Sequence, residues 1–112
     1  MAPDAVVALL EQALHFSRQM LVAAERDAWP EFLELDQQRN GILLALQQNT
    51  WPDALWQDAE RASVASRVES FMAINDELTR RATAWHGELR SLLGEARLSS
   101  RISDAYAGSS GA

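Results

Sequence analysis

From Ser63 to Ala96 the side chains Val64, Val68, Phe71, Asn75, Leu78, Ala82, Trp85, Leu89, Leu92 and Ala96 recur at alternating intervals of four and three. Residues three and four apart share one face of an α-helix, whereas a strand repeats every second residue, so this spacing specifies a helix. No proline interrupts it, and Gly87 is its only glycine before Gly94. At about 1.5 Å per residue such a helix is roughly 50 Å long, more than a small domain needs to cross its own core. The remainder of the chain must therefore pack along it.

Two further helical seams precede it. Pro3 and Asp4 suit a helix start, with proline in the first turn and an acid at the positive end of the helix dipole. Val7, Leu10, Leu14, Ser17, Leu21, Ala24 and Ala28 then form an alternating seam, widened by Val6, Leu9, Phe16 and Met20. A face that broad serves two neighbours. Asp27 to Pro30 break the pattern, with Asp27 placed to cap the next helix and Pro30 tolerated in its first turn. The second helix runs from about Ala28 to Gln48, with Phe32, Leu35, Ile42 and Leu46 on one side and Leu33, Leu43 and Leu44 beside them. Gly41 weakens it by roughly 1 kcal/mol relative to alanine, for which close approach of another helix would compensate. Asn49 to Asp53 form a loop, in which Thr50 and Asp53 have the spacing of a capping box. Trp29, Trp51 and Trp56 all fall near helix ends and read as an apolar plug where loops meet, with ligand stacking as the alternative.

Composition supports a single all-α domain. Ala, Leu, Glu, Gln and Arg, all good helix formers, dominate, and β-branched residues are few. There are 112 residues and no cysteine, which suffices for one modest core and excludes disulfides and thiolate metal sites. The net charge of −6 argues against a nucleic-acid surface. Residues 1–60 carry three Arg against ten acids, a balance of −7, while residues 61–112 carry seven Arg against six acids, a balance of +1. Helices of opposite character attract each other. No run approaches the roughly 18 apolar residues of a membrane span, and the first residues lack the order of a signal peptide, so a cytoplasmic protein is expected.

No enzyme chemistry is legible. Glu11 and His15 share a helix face but supply at most two metal ligands, and no nucleophile elbow, phosphate loop or HExxH run occurs. Glu69, Asp76 and Glu77 read as a solvated outer face. Asn75 lies in the seam between Phe71 and Leu78, and a buried unpaired amide costs about 1–3 kcal/mol, so it requires a partner or an opening in the seam. Past Leu93 the pattern changes phase, and Leu98, Ile102 and Tyr106 recur every fourth position before a Gly- and Ser-rich end. The expected architecture is an antiparallel bundle of three long helices over residues 1–97, a short amphipathic C-terminal helix over 98–107 and a disordered tail over 108–112.

The run Glu88, Leu89, Arg90, Ser91, Leu92, Leu93, Gly94, followed by Ser103, Asp104, Ala105, Tyr106 and Ala107, resembles the end of the flagellar export chaperone FliT family. There the pattern is Glu-Leu-x-Ser-Leu-Ile-Gly with an Asn-Ala-Tyr-Gly tail at the same distance. The long first helix, Trp29 with Phe32 and Leu33, the proline-containing loop, and Asn75, Asp76 and Glu77 within a long third helix agree in kind. Ala107 stands where the family often has glycine.

The resemblance implies a cytosolic chaperone of flagellar type III export that needs no cofactor. Such proteins bind the C-terminal helical segment of the filament cap protein FliD, keep it soluble and deliver it to the export ATPase complex. Their C-terminal helix limits access to the apolar groove, and some members also bind the flagellar master transcriptional regulator. An amphipathic tail competing with an amphipathic guest fits this mechanism. Leu43, Leu44, Val64, Val68, Phe71, Met72 and Asn75 are the expected groove, and Leu98, Ile102 and Tyr106 the plug that covers it. The competing class is a homodimeric structural or adaptor bundle held together by the same seams.

Overall fold

A computed structural model of the chain describes the backbone of residues 1–110 and the side chains of residues 1–94. Three α-helices follow one another: α1 over Pro3–Glu25, α2 over Trp29–Gln48 and α3 over Asp58–Ser110, with a short 3₁₀ turn at Asp53–Leu55 before α3. Among the described residues there is no strand, and no helix is long and apolar enough to cross a membrane. The chain divides into two units, Met1–Arg80 and Arg81–Ala112. The interval expected as a separate helix, residues 98–107, falls within α3. The side chains of Leu98, Ile102 and Tyr106 lie outside the described residues.

Helix boundaries follow local rules, though not always through the residues first expected. Pro3 occupies the first turn of α1, where its missing N–H costs nothing. At the other end Asp27 does not cap α2. It adopts a left-handed conformation, φ 55°, just past the last turn of α1. The Ala28 N–H then donates to the Ala23 carbonyl at 2.8 Å and the Asp27 N–H to the Ala24 carbonyl at 3.1 Å. This pair of reversed bonds satisfies carbonyls that the end of a helix otherwise leaves open. Aspartate tolerates that conformation better than most residues because its short polar side chain bonds locally. Helix α2 starts at Trp29 with no side-chain cap. The Thr50–Asp53 pair is not a capping box either; the Glu60 carboxylate caps α3 by accepting the Gln57 N–H at 2.8 Å. Asp53 instead begins the 3₁₀ turn.

Within the first unit the three helices share one core. Val6 and Leu10 of α1, Leu46 of α2, Val64 of α3 and Trp56 form a buried cluster, with Val7, Leu9, Ile42, Leu43, Trp51 and Val68 against it. Val6 and Met20 are fully buried where the sequence seam centred on Val7 and Leu21. The shift has a simple cause: α1 meets two neighbours, and its buried face turns toward the groove between them. Glu11 of α1 accepts two hydrogen bonds from the Arg67 guanidinium of α3, at 3.0 and 2.9 Å.

The centre of this unit holds a charge. Arg39, 7% exposed, points into the core from α2. Its Nη1 donates to Ser17 Oγ of α1 at 3.1 Å and to Asn75 Oδ1 of α3 at 3.2 Å. Its Nη2 meets the Asp36 carboxylate at 3.2 Å, and the guanidinium carbon lies 5.5 Å from the Phe71 ring centroid. Ser17 Oγ is itself anchored, donating to the Ala13 carbonyl at 2.7 Å. The partner that Asn75 requires is therefore Arg39. Taking a guanidinium out of water costs several kcal/mol. Hydrogen bonds to a charged group return about 1.5–3 kcal/mol each and an aromatic face about 0.5–2 kcal/mol, so the arrangement roughly offsets its own cost. Arg39 Nε is the exception, buried without a partner among the described residues.

Gly41 does not serve a close helix contact: a Cβ placed there would meet nothing within 4 Å. In the second unit the Trp85 and His86 rings lie 5.3 Å apart, Leu89 is half-buried, and Leu92 and Leu93 are exposed.

Two outcomes follow for stability, both measurable by urea unfolding followed by circular dichroism. Gly41→Ala raises stability by about 0.5–1 kcal/mol, because it removes backbone freedom from the unfolded chain and introduces no clash. Arg39→Ala lowers it by about 2–4 kcal/mol through a cavity and unpaired polar groups, whereas Arg39→Met, which keeps most of the volume and removes the orphaned Nε, costs less than Arg39→Ala while still leaving Asn75 and Asp36 without the guanidinium.

Candidate functional site

At the corner where α2 passes to α3 the chain leaves an apolar cleft. The loop forces two tryptophans together there. Trp51 and Trp56 stack with ring centroids 6.4 Å apart and planes 27° off parallel. Trp51 is held by its indole N–H, which donates to the Leu46 carbonyl at 3.2 Å; Trp56 is buried in the core cluster. With Val64, Ala65 and Val68 of α3 they line a hollow of about 440 Å³, rimmed by Asp53, Arg61 and Glu69. The mouth is charged and the walls are mostly carbon. Among the described residues no three potential metal ligands come together; what this lining presents is apolar contact with a charged border.

Arg61 is engaged on the spot. One of its Nη atoms pairs with the Asp58 carboxylate and the other donates to the Asp53 carbonyl at 3.3 Å. The carboxylates of Asp53 and Glu69 have no hydrogen-bond or ionic partner among the described residues.

The seven groove residues read from the sequence fall into three environments. Val64, 5% exposed, belongs to the core cluster and shows only an edge to the cleft; Val68 and Leu43 are half-buried against that cluster, and Val68 lines the cleft. Phe71 and Asn75 are half-buried and engaged with Arg39. Met72 and Leu44 are the open ones, 58% and 51% exposed. Leu44 follows Leu43 by one residue, about 100° round the helix, which carries it away from the core side. The structure thus brings Val64 and Val68 together in one cleft, while Met72 continues their row one turn along α3.

Trp51 and Trp56 complete that cleft, although the sequence placed them in a plug with Trp29. Trp29 is elsewhere. It begins α2 and packs edge-on against Phe32 with centroids 5.1 Å apart, at the opposite end of that helix from Trp51. The sequence signal that could have separated them is the tight spacing of Trp51, Pro52 and Trp56 across a single turn. Asp53 was read as part of a capping box with Thr50, and Glu69 as part of a solvated outer face. Nothing in one dimension shows that residues 16 apart border the same hollow.

No curated protein and no solved structure matches the chain. Residues 7–108 match the family model described as flagellar protein FliT. A match of that extent, over nearly the whole of a 112-residue chain, shows that the chain belongs to the FliT family of flagellar chaperones.

Proposed function

We propose that the chain is a cytoplasmic export chaperone that holds the C-terminal helical segment of the filament cap protein FliD, keeps it soluble and passes it to the export ATPase complex. The observation that supports this reading is the cleft at the α2–α3 corner, where Trp51 and Trp56 meet a row of apolar residues on α3 that opens progressively from Val64 through Val68 to Met72. A small protein that groups such side chains at a solvent-facing cleft has a surface suited to a partner. Because the row follows one helix, a guest that matches it along its length is itself an amphipathic helix.

In this reading α1, α2 and α3 form an antiparallel bundle whose interior is locked by Arg39, leaving the outer row on α3 free to exchange occupants. The stripe of Leu98, Ile102 and Tyr106 imitates a guest and competes for the groove. Closure of the groove by that stripe would lower apparent affinity in proportion to the open fraction. The flagellar master transcriptional regulator would use the same binding chemistry as an alternative partner.

Two measurements test the reading. Val68→Asp weakens binding of the cap-protein segment by roughly thirtyfold or more in calorimetry, as expected for a central contact, a larger loss than it causes in folding stability, with the helical signal retained; collapse of the fold instead would mark Val68 as core. Truncation after Leu93 raises affinity for the same segment by roughly three- to tenfold, the inverse of the open fraction, and unchanged or weaker binding would remove the competing tail.

A further inference from the structure

The cleft has a charge asymmetry that the apolar row does not explain. Its three ionisable rim residues are Asp53, Arg61 and Glu69. The one cation is already neutralised by Asp58 and further held by the Asp53 carbonyl. Both rim carboxylates are left without a partner among the described residues, on a chain of net charge −6 whose first 60 residues alone carry −7. With them in the lining stand Trp51, Trp56, Val64 and Val68, an apolar floor. A guest that brings only apolar groups would cover the floor and leave two carboxylates at its edge without an ionic partner, whereas a guest with cations there would pair with them.

We infer that this cleft is an anchor site for a helical peptide in which one large apolar side chain, seated against Trp51, Trp56 and Val68, is flanked by Lys or Arg one turn to either side, toward Asp53 and Glu69. Helix geometry lets one face carry all three groups. Residues three or four apart lie on one face and rise about 5.4 Å per turn, so an anchor and its two neighbours run along the same groove. The open row continues through Ala65 and Met72 on α3, which favours an elongated helical guest over a compact one. The apolar anchor supplies affinity, and the basic flanks supply orientation and discrimination against acidic helices. This inference rests on the reading that the groove receives a guest helix, and it adds the chemistry by which the guest is chosen.

Two synthetic amphipathic peptides with identical apolar residues, one with Lys and one with Glu flanking the central Leu, separate the possibilities when titrated calorimetrically into the full chain. The Lys peptide binds about tenfold tighter, as two exposed ion pairs would give. The preference shrinks at about 0.5 M NaCl, where charges beyond roughly 4 Å are screened. The charge reversal Asp53→Lys with Glu69→Lys inverts it, and because both residues are exposed circular dichroism of that variant matches the parent. Equal binding of the two peptides, binding of neither, or a preference untouched by the charge reversal would overturn the inference. The cap-protein segment, titrated in parallel, keeps the two readings apart. If it fails to bind while the Lys peptide is preferred, the partner assignment falls and the cleft chemistry stands; if it binds with no response to the charge reversal, the reverse holds.

Discussion

A single guanidinium sits where three helices meet, and the register of the first unit depends on it. Arg39 reaches Ser17 on α1 and Asn75 on α3 through the same nitrogen, while Asp36 on its own helix balances the charge. Sliding α2 by one turn would carry that group about 5.4 Å from both outside partners and leave a buried cation with no acceptor but Asp36. Apolar contacts alone tolerate such a slip, since one leucine fills a neighbouring gap almost as well as another. A buried polar contact does not, which is why it specifies alignment even where its net stabilisation is near zero. Where helix ends fall is then determined as well, and with it the place where Trp51 and Trp56 stack.

The two ends of α2 have different consequences. Toward α1, the reversed hydrogen bonds around Asp27 close the turn with backbone alone, and Trp29 folds onto Phe32. Toward α3, eight residues of loop and 3₁₀ turn separate Gln48 from Gln57, long enough to place two indoles side by side but not to fill the space beside them. The cleft is what remains. Its floor is continuous with the core, because Trp56 and Val64 belong to both. The side chains at that floor are the ones that hold the three helices together, so the shape of the cleft is fixed by the core beneath it.

Helix α3 meets two demands with one periodicity. The face of Val64 and Leu78 is buried, while Val68 and Met72, turned a little further round, grade from half-buried to open. A stripe wider than the neighbours can cover is the source of both the core and the candidate groove. Charge follows the same division: Arg67 uses its guanidinium to tie α3 to Glu11 of α1, and Arg61 is consumed locally, so the acids at the cleft mouth are left uncompensated.

What the sequence determined by itself was everything governed by neighbours three or four residues away: three helices, the proline at each of two helix starts, the breaks near residues 27 and 50, and the apolar breadth of α1 and α3. Those are local regularities, because helical hydrogen bonds and shared faces are both set at that separation. Asn75 was legible as a residue in need of a partner, but nothing in the sequence around Arg39, 36 positions earlier, marked it as that partner. Gly41 looked like a contact and faces open space; Asp27 looked like a cap and ends the helix before it. Only the tertiary structure decided which side of each helix met which neighbour, and hence that Trp51 and Trp56 would share a hollow with Glu69 while Trp29 would not. Such pairings depend on the rotation and register of whole helices, quantities that sum over many weak contacts and leave no mark at any one position in the chain.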